Sequence, residues 1–177
     1  MRESIHKYFQ IGTIQWMSYP PERYDLIESV GTICANPFFS VLEVTSISNV
    51  NQREMVKHML EQSHMRVCFG AQPILMGGGL NPNDVKEEKR KQAEDALKEA
   101  IDQAELIGAG GIAFMSGHWD DENKEKQYQQ LCRTTEALCS YAGQKNMTVE
   151  LEVFDYDMDK KALIGPAPLA ARFAADI

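Results

Sequence analysis

Two glutamates stand two places apart in the apolar run TVELEVF at residues 148–154. Strand side chains alternate between faces, so Glu150 and Glu152 share one face while Val149, Leu151 and Val153 share the other. A carboxylate at the end of such a strand can ligate a divalent cation or take a proton from a substrate carbon. Glu152 lies one residue before the chain turns at 154–155; Glu150 lies about 6–7 Å deeper by strand rise and reads as a paired structural carboxylate. The run VLEVTSI repeats the pattern: Glu43 and Thr45 face one way, Leu42 and Val44 the other. Two inner-face glutamates on different strands could converge near one mouth. Gln72 closes RVCFGAQ, where it could hydrogen-bond a polyol or serve structure alone. His118 follows FMSG at a position suited to a mouth residue, as a metal ligand, an acid/base group or a solvated loop side chain. Trp119 beside it could wall a pocket or cover the core. His6, His58 and His64 sit at surface-like positions.

Positioning these groups requires strands. Residues 11–17, 41–47, 66–72, 111–117 and 148–154 read as five β-strands, short apolar runs rich in β-branched residues. Between them, residues 22–35, 51–64, 84–107 and 124–144 recur with helical period. A last helix starts at Pro166 or Pro168 and runs to residue 177. Asp84 reads as an N-cap with Glu87 three places on. MGGGLNPND reads as a flexible loop, and Pro73 as a strand stop. The order is β-α five times over, which implies a parallel sheet with right-handed crossovers. A (β/α)8 barrel takes about 250 residues. This chain of 177 residues is therefore expected to be a single α/β domain of (β/α) TIM-barrel type, incomplete, with about five of eight units.

Composition narrows the functions. The chain is 44% hydrophobic with a net charge of −8, which suits a globular core and argues against a nucleic-acid partner, since phosphate neutralisation needs clustered Lys and Arg. The charged run at 86–91 reads as a solvated helix face. No apolar run reaches the roughly 18 residues of a membrane span, and residues 1–10 lack the apolar stretch of a signal peptide, so a cytoplasmic location is expected. The four cysteines, Cys34, Cys68, Cys132 and Cys139, form no CxxC pair and read as reduced core thiols. The glycine triplet fits neither GxGxxG nor GxxxxGK[ST], and no GxSxG or HExxH occurs.

LEVFDYDMDKKALIGP, FMSG before an acidic loop, FGAQP, LEVT after NPFF, and WMSYP together resemble the sugar phosphate isomerase/epimerase family of the xylose-isomerase-like TIM-barrel superfamily. The similarity runs from about residue 11 to residue 177. The resemblance implies that Glu152, the fifth-strand glutamate, is a metal ligand that can also act as catalytic base. It implies that the other ligands, an aspartate, a histidine and a second glutamate, come from strands six to eight. Ketose 3-epimerases carry an Asn-Arg pair after this glutamate and another glutamate six residues on; here Asp155 and Tyr156 replace the pair, and position 158 is methionine.

The expected activity is therefore a metal-dependent isomerase or epimerase acting on a sugar, sugar phosphate or polyol, with Mn²⁺, Mg²⁺, Co²⁺ or Zn²⁺ in the complete barrel. Glu43, Gln72 and His118 are the candidate substrate-binding residues, and Glu152 the candidate catalytic residue and metal ligand. The chain by itself is expected to be inactive. The rival reading is a non-catalytic half-barrel binding or assembly module, since open strand edges at both ends invite pairing, including with a second copy. A third, an endonuclease IV-like metal phosphodiesterase, is opposed by the acidic charge and the missing histidines.

Overall fold

The computed structural model describes residues 4–177. Five parallel strands follow one another through the chain: β1 (Gly12–Ile14), β2 (Val41–Val44), β3 (Arg66–Phe69), β4 (Gly111–Met115) and β5 (Thr148–Glu152). The first three pair in register Ile14–Glu43–Cys68. The last two pair with Met115 opposite Glu152. A bridge between Gly70 and Ala113 joins the two sets, with the Ala71 amide donating to the Ala113 carbonyl at 2.8 Å. The spatial order is thus the chain order, as expected for α/β units with parallel strands and helical crossovers.

The period-two pattern decides which face is covered. Leu42, Val44, Phe69, Ile112 and Phe114 point outward and are essentially inaccessible. They pack into one core with α2 (Leu26–Cys34), α3 (Val50–Ser63), α5 (Glu87–Leu106) and α6 (Lys124–Gly143), which contribute Val30, Val56, Leu97 and Leu131 among others. The inner face carries Glu43, Cys68, Ala113, Glu150 and Glu152, and it lines an open trough of about 450 Å³. Gly111 is needed on that face because a Cβ there would strike the Thr148 hydroxyl and carbonyl on β5.

Strands end earlier than their apolar runs. Residues 15–18 leave β1 as the single turn α1 (Gln15–Ser18). Beyond β2, the Thr45 hydroxyl donates to the Gly70 carbonyl, while Ser46 and the Ile47 amide bind the Gln103 side chain. These side-chain bonds replace ladder pairing. Pro73 does not stop a strand; it occupies the first turn of α4 (Gln72–Gly78), where its missing N–H costs nothing. The glycine triplet is therefore a helix end rather than a flexible loop, closed by Gly79 at φ 59°. Lys86, not Asp84, holds the N-cap position of α5, and the Asp84 carboxylate accepts from the Lys86 amide just before it. The final helix is α7 (Ala167–Asp176).

The charged run at 86–91 hides an interior contact. Arg90 is 2% exposed and Glu94 1%. The guanidinium donates to Glu94 at 2.7 Å and, across to α6, to the Thr134 hydroxyl at 2.9 Å. Thr134 in turn donates to the Pro82 carbonyl. Glu94 also accepts from Lys91 and Lys98. This network locks α5, α6 and the loop before α5 together.

The outer face of β5 is less covered than that of the inner strands. Val149 and Leu151 are half-buried and Val153 is 55% exposed. They line an apolar groove with Cys139, Phe173 and Ile177. The reason is that β5 is an edge strand, with no neighbour on its far side among the described residues. The cysteines are likewise not all core thiols. Cys132 is buried, Cys34 and Cys68 are half-buried, and Cys139 is exposed.

Candidate active site at the mouth of the half-barrel

Three side chains from different elements meet at the C-terminal end of the inner face. Glu152 ends β5. Gln72 starts α4 directly after β3, and its Nε2 donates to Glu152 Oε2 at 2.6 Å. Glu43 sits on β2, and its Oε1 lies 2.6 Å from where a Gly70 Cβ would be. The Trp16 ring edge comes within 2.6 Å and Gln72 Oε1 within 2.7 Å of the same point. Gly70 is thus the residue that lets a carboxylate, an amide and an indole crowd one end of the sheet.

The electrostatics follow from that crowding. Burial pushes the Glu43 carboxyl above its ordinary value of 4.5, and the nearby Glu152 and Glu150 charges add to the effect. A folded-state value raised above the unfolded one means that ionising Glu43 opposes folding. Stability is fully present below the ordinary carboxylate value and is lost as pH rises through the higher folded value. Glu43→Gln is therefore expected to raise the urea midpoint at neutral pH, with the gain vanishing below the carboxylate range. Equal midpoints for the variant and the wild type at both pH values would contradict this account.

Glu150 makes no ion pair or hydrogen bond among the described residues and is exposed in the trough. The reading of Glu150 as a paired structural carboxylate is corrected: Ala113 lies opposite it on β4 and offers no cation. His118 is not brought to Glu152. It is exposed and lines a smaller cavity of about 130 Å³ with Leu75, Asn81 and Lys160. Asn81 and Asn83 both donate to its backbone carbonyl. Trp119 stacks on Tyr156 at 4.2 Å and donates from Nε1 to the Tyr156 carbonyl, tying the loops after β4 and β5 together.

The three aspartates after β5 divide their roles. Asp155 accepts from the amides of Asp159, Lys160 and Lys161, which hold its carboxyl below the ordinary range against the opposing effect of burial. It organises the loop. Asp157 and Asp159 are exposed. Ala162, Leu163 and Ile164 then bury completely, with the Ile164 amide donating to the Ser116 hydroxyl.

Trp16 is the site residue that the sequence reading left inside a strand. The signal was its place at the end of the first apolar run, two residues beyond Ile14, before Tyr19-Pro20. Among the described residues no three His, Cys, Asp or Glu side chains stand close enough together to hold a metal ion. The residues present therefore do not make a metal site by themselves.

A family model for the xylose isomerase-like TIM barrel matches residues 37–161. That span contains β2 to β5 and all of Glu43, Gln72, His118 and Glu152. The chain belongs to this family. The xylose isomerase-like TIM barrel has close structural counterparts to the present chain. A D-psicose 3-epimerase from Clostridium cellulolyticum H10 superposes with a TM-score of 0.75 at 14% identity, over 95% of this chain and 60% of that one. A 3-keto-D-glucoside 4-epimerase from E. coli gives 0.71 at 18% identity, over 94% and 64%. A family 2 AP endonuclease from Brucella melitensis gives 0.71 at 12% identity, over 93% and 65%. These superpositions establish a shared fold alone. The chain spans somewhat under two thirds of the length of these structures, consistent with an incomplete barrel. No curated protein matched the sequence. No helix among the described residues is long and apolar enough to cross a membrane.

Proposed function

We propose that the chain supplies the first five β/α units of a sugar or polyol isomerase or epimerase, with the reacting centre at Glu152. The observation that carries this reading is a carboxylate at the C-terminal end of an inner-facing strand, moored by Gln72, whose amide oxygen lies beside Glu43 and the Trp16 ring edge. In a (β/α)8 barrel, that end is where chemistry is built. Glu152 would accept the proton from a carbon next to a carbonyl and return it to the neighbouring carbon, while inversion at one carbon would need a second carboxylate, from a further β/α unit, to protonate the opposite face. Gln72 would hold the acceptor oxygen in place. The Trp16 indole would lie against the C–H face of a sugar. A divalent ion, if bound in the complete barrel, supplies polarisation of the carbonyl–hydroxyl pair. Glu152 would be its one ligand from this chain, with the others from further β/α units. His118 remains a candidate for contacts to the far end of a longer substrate.

The relatives named above act on D-psicose and a 3-keto-D-glucoside, so the test is a panel of neutral ketoses including D-tagatose. Turnover is expected from the barrel completed by three further units and not from this chain alone. Turnover by this chain alone would contradict the division of labour, and a completed barrel indifferent to Glu152→Gln would contradict the assignment of the site.

The assembly-module reading draws on the half-covered outer face of β5, and it is compatible with a barrel closed by further units. A nucleic-acid substrate is opposed by the trough itself, which carries Glu43, Glu150 and Glu152 against Arg66 as the one cation among the described residues.

A further inference from the structure

Gln72 is the buried member of the mouth, at 6% exposure. Its Nε2 is committed to Glu152 at 2.6 Å. Its Oε1 is buried and has no hydrogen-bond donor among the described residues. Turning the amide over would place Oε1 against a carboxylate oxygen and forfeit the one bond it makes, so Glu152 decides which side the oxygen occupies. Buried amide oxygens are otherwise nearly always satisfied. The groups beside this one do not satisfy it. Trp16 presents the ring carbon Cη2 to the space next to Gly70, and Glu43 makes no hydrogen bond to the amide oxygen.

We propose that Gln72 is a two-sided positioning residue: Nε2 orients the Glu152 carboxylate, and Oε1 accepts a hydrogen bond from a hydroxyl of a neutral sugar or polyol. This rests on the carbohydrate reading above and narrows it. The group that reaches Gln72 must be a donor and uncharged, because Glu43 and Glu152 lie beside it, and with Glu150 on the same inner face they repel phosphate or carboxylate. A Cβ at Gly70 would strike Oε1, so glycine is what lets the amide oxygen lie beside Glu43 and the Trp16 ring edge. The reacting end of the substrate therefore carries free hydroxyls, and any phosphate lies at its far end.

The test is NMR on the 177-residue chain with D-tagatose as the probe. In the free chain, one Gln72 Nε2 proton is expected downfield and slow to exchange, and Glu152→Gln removes that signature. Adding D-tagatose is expected to shift the Gln72 Cδ resonance along with the Trp16 indole N–H. Gln72→Met, close in shape but without the amide, is expected to bind the sugar about tenfold more weakly, with a backbone amide spectrum showing the fold retained. A freely averaged Gln72 amide, indifferent to Glu152→Gln, overturns the proposal. So does a Cδ that stays still while the Trp16 indole responds, an outcome that leaves the carbohydrate reading standing. Silence at both Trp16 and Gln72 overturns both.

Discussion

Replacing Arg90 with methionine is expected to destabilise the chain by about 3 kcal/mol, a large part of the 5–15 kcal/mol typical of a domain. Methionine keeps most of the side-chain volume, so little of the effect would come from a cavity. What is lost is the set of bonds from the guanidinium to Glu94, Glu87 and Thr134. Glu94 then stays buried with only the lysine ammoniums as partners, and Thr134 of α6 loses its buried bond to α5. Breaking one side of a buried charge pair is costly because the remaining charge was desolvated for a partner that is gone. Urea unfolding measures it, and a midpoint unchanged from wild type would show the network to be ornamental.

The same network gives stability a pH signature. Burial alone would raise the Glu94 carboxyl, but hydrogen bonds from Lys91, Lys98 and Arg90 outweigh it and bring the group down to about 2. A folded value below the unfolded one stabilises above the ordinary 4.5 and is lost as pH falls toward about 2. The wild type is thus expected to weaken across that acid window, opposite in sign to the Glu43 effect at higher pH. In Glu94→Gln the acid-side loss shrinks, because the amide does not titrate.

The second large effect is chemical. In a barrel completed by further units, Glu152→Gln is expected to lower kcat/KM about 10³-fold, within the 10²–10⁴-fold that a positioned proton-transfer group contributes. The amide keeps the shape of the carboxylate and removes its basicity. Glu152 is exposed at the end of an edge strand, so the fold is expected to survive. A completed barrel with undiminished turnover would move the chemistry to another residue.

The alternation of β2 and β5 was legible because a glutamate between valines and leucines leaves a period-two trace that only an inner, wetter face explains. Strand ends were not legible. Gln15, Trp16 and Ser46 carry residue types that suit a strand, and only bonds such as Ser46 to Gln103, 57 residues away, reveal that they leave it. Pro73 is ambiguous in the sequence because proline ends a strand and begins a helix with equal ease. Arg90 was hidden in a run of charges whose neighbours do face water; which charge turns inward depends on where α6 packs. The Gln72–Glu152 bond spans 80 residues. It leaves no pattern in the sequence, although each partner was singled out by its place at a strand end. His118 sits at a strand end too, but the loop bonds from Asn81 and Asn83 set it over α4 rather than over β5.

The most direct measurement is a Mn²⁺ titration of the chain followed by paramagnetic broadening of its amide resonances, with Glu152→Gln in parallel. Weak binding is predicted, with broadening centred on Glu152, Met115 and Gln72 and abolished by the substitution. Broadening that survives Glu152→Gln, or that centres on the 155–159 loop, would contradict the placement of the reacting centre, and tight binding by this chain alone would contradict its incompleteness.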